Sequence, residues 1–231
     1  MDTTILTDPW IWVQDNVIPD DYCDELVAKF EKEAAKGNTH EGETGASLVR
    51  KGKTMGDHIV GVPSDNIKQS DDLKLEGDNK KWTEDNNVLS KILQPKILEY
   101  LEYTDNAIPL PHTPIGFVET RPQGVNLVQH QGALSGTVTD TGFQIQRTQP
   151  HHGYGWHTDF WVDKHIGIRI ITFIFYLNTV REGWTQFWNG DQIQPQKGRL
   201  LLFPSTATYY HQGYPPLDTK YIITGWLHKA I

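Results

Sequence analysis

Residues 170–177 read Ile170-Ile-Thr-Phe-Ile-Phe-Tyr-Leu177. Seven of these eight are apolar or aromatic and four are β-branched. A run so short and continuous is expected to be a central strand buried on both faces, because a half-exposed strand would alternate with polar residues. Shorter β-prone segments surround it. Phe143-Gln-Ile-Gln-Arg147 lies before it. Gln186-Phe-Trp188, Arg199-Leu-Leu-Leu-Phe203, Thr208-Tyr-Tyr-His211 and Tyr221-Ile-Ile-Thr-Gly-Trp-Leu227 follow, punctuated by Gly, Pro and Asn. Residues 115–119 and 125–129 extend the strand series upstream. Between them and Phe143, the Gly/Thr-rich stretch 132–142 is expected to be a mobile loop near the mouth of a site.

The first part of the chain has a different period. Trp10 to Val13 is a short β-prone entry strand. Pro19-Asp20-Asp21 opens a helix with Asp20 or Asp21 as N-cap, and Tyr22, Cys23, Leu26, Val27 and Phe30 give it one apolar face as far as about Lys36, with Gly37 as the stop. Residues 37–57 read as loop, with His40-Glu41 solvated. A strand is expected around 58–62 and another near Lys68-Gln-Ser-Asp-Asp-Leu73. Val88, Leu89, Ile92, Leu93, Ile97, Leu98 and Leu101 mark a second amphipathic helix, and Pro95 inside it predicts a kink or two helices meeting there. Helices first and many strands after is the pattern of a mostly β fold with supporting α. The expectation is a jelly roll (double-stranded β-helix) over about 111–231, backed by helical support over about 1–110, in one domain spanning 1–231.

Composition narrows the function. A net charge of −8 argues against broad, charge-driven nucleic-acid binding. Cys23 is the single cysteine, which excludes an intramolecular disulfide and suits a reducing compartment. The opening residues MDTTILTDPW do not read as a secretory signal, and no apolar run is long enough for a membrane span, so a soluble cytoplasmic protein is expected.

The chemistry is carried by His157-Thr-Asp159, then by His211 and Lys220. In extended backbone, positions i and i+2 lie on one side of a strand, so His157 and Asp159 face together. A second imidazole from a neighbouring strand, His211, completes a set of two histidines and one carboxylate. Such a set leaves open positions on the metal, as in non-haem Fe(II) oxygenases. Lys220 is then a cation for a carboxylate-bearing co-substrate. The flanks are Tyr154-Gly-Trp before the motif, Tyr176-Leu-Asn at the end of the long strand, Gly183-Trp-Thr-Gln-Phe, Pro195-Gln-Lys-Gly-Arg-Leu-Leu-Leu-Phe-Pro, and Trp226.

This order of motifs closely resembles the Fe(II)/2-oxoglutarate-dependent dioxygenases of the prolyl 4-hydroxylase-like superfamily, firmly over residues 143–228 and more loosely over the first third. The flanks Gly142-Phe-Gln-Ile-Gln-Arg-Thr and Lys220-Tyr-Ile-Ile-Thr-Gly-Trp are most similar to members from bacteriophages and marine bacteria. The resemblance implies a 2-oxoglutarate-dependent dioxygenase with Fe(II), 2-oxoglutarate and O2, with ascorbate as a further reductant. It makes His157, Asp159 and His211 the iron ligands. Lys220 and Tyr176 meet the distal carboxylate of 2-oxoglutarate, and Trp226 is a wall beside the metal. Ile174 and Thr172 share the face of Tyr176 by alternation and are expected in the same pocket. Two positions depart from the prolyl hydroxylases: Thr148 stands where many carry tyrosine, and Glu182-Gly-Trp-Thr185 stands for Gly-Gly-Glu-Thr.

The leading substrate reading is a peptidyl proline or another protein side chain. The same chemistry on a small molecule or nucleobase is the alternative, as is a metal-binding jelly roll without oxygenase activity. His151 and His152 read as a solvated turn or a substrate contact, and His165 as a surface residue. Gln144 and Gln146 share one strand face, towards either co-substrate or solvent.

Overall fold

The computed structural model describes residues 6–42, 68–75, 80–107, 138–140 and 142–229. The strands expected at 58–62, 115–119 and 125–129, and most of the 132–142 stretch, lie outside them. In chain order the elements are β1 (Trp12–Gln14), α1 (Asp20–Ala34), β2 (His40–Glu41), β3 (Asp71–Lys74) and α2 (Thr83–Ala107), preceded by a 3-10 turn at Lys80–Trp82. Then come β4 (Val138–Asp140), β5 (Gln144–Thr148), β6 (Tyr154–His157), β7 (Val162–Asp163), β8 (Gly167–Tyr176), β9 (Thr185–Phe187), β10 (Gln192–Ile193), β11 (Leu200–Pro204), β12 (His211–Gly213) and β13 (Lys220–Lys229).

The decisive run 170–177 falls in β8 and its exit, at the centre of the larger sheet. That sheet runs β1-β11-β8-β13-β5-β3-β2, with β4 also on β13 and β7 also on β8. The smaller sheet runs β10-β9-β12-β6. Phe173, Phe175 and Leu177 of β8 and its exit, with Leu200 and Leu202 of β11, pack with Cys23, Leu26 and Phe30 of α1 and with Leu89 and Leu93 of α2. The alternate residues Ile174 and Tyr176, with Leu201 and Phe203, pack instead against Phe187 and Ile193 of the smaller sheet. The run is therefore apolar throughout because helices cover one face and a second sheet covers the other. The result is a double-sheet jelly roll backed by helices.

Close strand packing sets one glycine. A Cβ on Gly225 of β13 would lie 2.5 Å from the carbonyl oxygen of Gly142 and would run into the ring of Phe173.

Four local expectations are corrected. Pro19, not Asp20 or Asp21, occupies the N-cap position of α1, without a side-chain cap; its carbonyl accepts the N–H of Cys23 and the two aspartates sit in the first turn, where they favour the helix dipole. α2 runs through Pro95 as one helix, so of the kink and the two-helix alternative the second does not hold. Pro95 and Lys91 four residues earlier are both exposed, so the carbonyl that loses its partner is on the solvent side. Residues 138–140 form a strand paired to β13 at Leu227–Lys229, not loop. The segment expected as strand from Thr208 begins only at His211, because Thr206–Tyr209 closes a turn. Gly37 does end the first helical segment, with φ 74° and its N–H on Ala34. No helix among the described residues is long and apolar enough to cross a membrane.

Candidate active site

β6 and β12 are antiparallel neighbours, with His211 directly opposite His157. Asp159 lies two residues beyond His157 and turns its carboxylate between the two rings. Its Oδ1 is 3.7 Å from His157 Nε2 and its Oδ2 is 3.6 Å from His211 Nε2. All three ligand-type atoms lie within 4.8 Å of one another, a spacing able to hold a metal ion. Backbone carbonyls fix both rings: His157 Nδ1–H donates to Gly155 (2.7 Å) and His211 Nδ1–H donates to Tyr209 (3.0 Å). A carbonyl only accepts, so each Nε2 carries its lone pair towards the shared centre. The ring of Tyr154 stacks on His157 at 3.5 Å, and Phe203 meets His211 edge-on at 4.8 Å.

Burial, with His211 alongside, holds the His157 imidazolium well below its ordinary range, so the ring is neutral. Burial pushes Asp159 upward, but His211, His157, Arg169 and a hydrogen bond from Thr172 outweigh it, and the carboxylate stays ionised. Two imidazole nitrogens and one carboxylate are a donor set that suits a divalent first-row metal.

Lys220 opens β13 and is 5% exposed. Its Nζ donates to the carbonyl of Gly183 at 2.8 Å, and among the described residues it makes no ion pair. The left-handed turn at Glu182 and Gly183 (φ 57° and 70°) aims that carbonyl inward. The departing sequence Glu182–Thr185 thus contributes to the pocket. Burial alone pulls the Lys220 ammonium down to about 8. Tyr176 is buried, and its hydroxyl meets Thr185 Oγ1 at 2.7 Å. The triad, Lys220, Tyr176, Thr185, Ile174 and Trp226 all line one cavity of about 280 Å³ between the two sheets. A buried cation without a counter-ion among the described residues, in the same cavity as the triad, is what a dianionic co-substrate would neutralise. The residues fit a 2-oxo diacid.

Some expected positions move. Thr172 does not line the cavity but lies beneath Asp159, donating to its Oδ2 at 2.9 Å with Ser205 behind it at 2.7 Å. The deviation has a simple cause: Asp159 comes down from the other sheet onto that position. Of the glutamine pair, Gln146 lines the cavity while Gln144 donates to buried Asp72. Thr148 also lines it. His151, His152 and His165 are exposed.

Sequence reasoning missed Arg169 and Lys68. Strict alternation would put Arg169 on the helix face with Ile171 and Phe173. The pairing shifts, however, from Leu227↔Ile171 to His228↔Arg169, leaving Ile170 as an extra residue. That bulge turns Arg169 into the cavity, its guanidinium 3.8 Å over the Trp226 ring. Nothing in the local sequence marks it. Lys68 reaches the cavity through a single bridge to Tyr154 and is held by Asp72 at 2.6 Å.

Two histidines and one carboxylate able to hold a metal ion thus sit inside a jelly roll, in one cavity with a buried lysine. Residues 143–228 match the model of the 2OG-Fe(II) oxygenase superfamily, a family whose cofactors are Fe(II) and 2-oxoglutarate. No curated protein matches the chain. Solved structures that share the fold include prolyl hydroxylases. One is a Trichoplax adhaerens enzyme in complex with a hypoxia inducible factor peptide fragment (17% identity, TM-score 0.61, 96% of this chain and 85% of that one). A Pseudomonas putida prolyl-4-hydroxylase follows (14%, 0.58, 95% and 93%). The viral collagen prolyl hydroxylase of Paramecium Bursaria Chlorella virus-1, in its 2OG complex, is similar too (16%, 0.55, 96% and 97%).

Proposed function

We propose that His157, Asp159 and His211 hold Fe(II), that Lys220 and Tyr176 hold the distal carboxylate of 2-oxoglutarate, and that the enzyme hydroxylates a C–H bond of a peptidyl proline or another protein side chain. The observation carrying this reading is Lys220. A structural metal site has no use for a buried, unpaired ammonium, whereas a diacid needs one. Bound together, Fe(II) and 2-oxoglutarate supply an O2-derived oxidant for unactivated C–H bonds, with succinate and CO2 as the other products.

The chain's own residues do the positioning. Gly155 and Tyr209 orient the two imidazoles, and Thr172 fixes one carboxylate oxygen of Asp159. Lys220 and the Tyr176 hydroxyl select a diacid over a monoacid by giving its far end a charge-assisted and a neutral donor. Ile174 and Ile222 line the cavity as hydrocarbon, limiting water beside the cofactor.

The mouth supports a protein substrate. Phe160, Trp161 and Trp226 line the cavity, and among the described residues Arg169 Nε has no hydrogen-bond partner. An aromatic rim with a spare guanidinium suits an amino-acid side chain followed by a backbone carbonyl. The Trichoplax enzyme's peptide complex supports the same reading by fold analogy.

The test adds Fe(II) and 2-oxoglutarate anaerobically to metal-free protein and records the visible difference spectrum. A metal-to-ligand charge-transfer band is expected, absent in His157→Ala and requiring more 2-oxoglutarate in Lys220→Ala. Folded, iron-loaded wild type without the band refutes the assignment. Succinate release stimulated by proline-containing peptides is expected next; stimulation by free amino acids or nucleobases alone refutes the protein substrate.

A further inference from the structure

The two strands that carry the site's inner face also carry a repeated pattern on their outer one. β9 and its flanks read Trp184-x-Gln186-x-Trp188, and β12 and its flanks read Tyr210-x-Gln212-x-Tyr214. The intervening Thr185, Phe187 and His211 are buried between the sheets, so alternation puts Gln186 and Gln212 on the far side, and the flanking aromatics extend the same two paired segments. They are in register. Gln212 lies opposite Gln186, the N–H of Trp188 donates to the carbonyl of Tyr210, and the N–H of Tyr214 donates to that of Trp184. At one end the rings of Trp184 and Tyr214 stack at 4.3 Å. In the middle Gln212 Nε2 donates to Gln186 Oε1 at 2.7 Å. At the other end Trp188 and Tyr210 are 68% and 51% exposed.

We propose that this outer face binds an extended, uncharged polysaccharide chain. The strip carries no acid or base although the chain's net charge is −8, so its partner is neutral. The single bond between the two amides leaves a Gln186 donor and a Gln212 acceptor side by side. A hydroxyl, donor and acceptor at once, satisfies that pair. An apolar protein surface would cover both amide ends without a partner, at a desolvation cost. The aromatic residues at the two ends offer ring surface to the C–H faces of sugar rings, which stack on aromatic carbon. From first row to third the strip runs about 13 Å along the strands at the usual rise per residue, which suits a chain rather than one terminal sugar. The face lies on the opposite side of the sheet from His211, so the bound chain anchors the enzyme and leaves the cavity open.

The intact protein is titrated with neutral cello-, xylo-, manno- and laminari-oligosaccharides, following tryptophan fluorescence and heat. Saturable binding in the millimolar range or tighter is expected for at least one, weakened about tenfold or more by Trp188→Ala and by Gln186→Leu. Circular dichroism and cofactor binding should stay unchanged in both variants, since neither residue touches the cavity or core. No saturable binding by any of the four overturns the proposal, as does undiminished binding by Trp188→Ala. Binding of branched glycoprotein glycans alone overturns the extended-chain reading. Occupation by a proline-rich peptide instead, or self-association that Trp188→Ala abolishes, assigns the face to protein and overturns it as well.

Discussion

Replacing Lys220 by methionine should make the metal-free protein more stable while removing its grip on 2-oxoglutarate. Burial lowers this ammonium from its ordinary 10.5 to about 8, with no compensating charge among the described residues. A depression of about 2.5 units corresponds to roughly 3 kcal/mol by which the buried cation weakens the fold at neutral pH. Methionine fills similar volume without that cost, so urea unfolding at pH 7 should show a gain of up to about 3 kcal/mol. The pH dependence fixes the cause. Between about pH 8 and 10.5 the unfolded chain holds a proton that the folded one has released, so wild-type stability rises with pH across that window. The advantage of Lys220→Met should therefore shrink as pH rises from 8 and be constant below it. A variant less stable than wild type at pH 7, or an advantage that does not change with pH, would refute the argument.

Thr172→Val should leave the fold intact but weaken metal affinity about 10- to 100-fold, since Asp159 loses the donor that orients it, and Thr172→Ser should restore most of it; equilibrium dialysis against a chelator reads the change. The neutral, buried His157 predicts that metal-free stability falls as pH drops below about 6.5, because the unfolded imidazole takes up a proton that the folded one refuses. Thermal melts from pH 7.5 to 5 should show this slope in wild type and a shallower one in His157→Ala. Gly225→Ala should destabilise by about 1–3 kcal/mol or more in urea titrations, since the new methyl meets the Gly142 carbonyl and the Phe173 ring.

The fold was legible where physics is local and periodic. The unbroken run 170–177 required cover on both faces, and it is covered by α1 and α2 on one and the second sheet on the other. Tyr22, Cys23 and Leu26 mark α1 for the same reason. His157 and Asp159 were legible as a pair from their i, i+2 spacing, although β6 ends at His157 and Asp159 lies just beyond it, turned between the two rings. What escaped depends on partners distant in sequence. Arg169 enters the cavity through a pairing shift opposite Leu227 and His228, which no pattern within β8 announces. Thr172 changes from wall to support because Asp159, thirteen residues earlier in sequence but on the facing side of the barrel, descends onto it. The carbonyl that receives Lys220 belongs to a backbone turn at Gly183, and backbone acceptors leave no side-chain signature.

The charges of the cavity argue for the occupants as a pair. A divalent metal with two neutral imidazoles and Asp159 carries one net positive charge, and Lys220 at the other end adds a second. Neither is tolerable alone in a low-dielectric barrel, and no described acid faces Lys220. On the proposed reading, a dianion that spans from metal to lysine cancels both, which gives the lysine a role that offsets its cost to the empty fold. Arg169 remains over Trp226 with one further positive charge, partly offset by the nearby Asp159. With the diacid in place on the proposed reading, this guanidinium still offers a donor in the cavity, and a substrate with a carbonyl or carboxylate beside the reacting C–H would be held there. Arg169→Gln should then raise the KM for substrate while leaving 2-oxoglutarate affinity unchanged; a loss of 2-oxoglutarate affinity instead would place Arg169 in the cofactor's charge balance and remove it from substrate recognition.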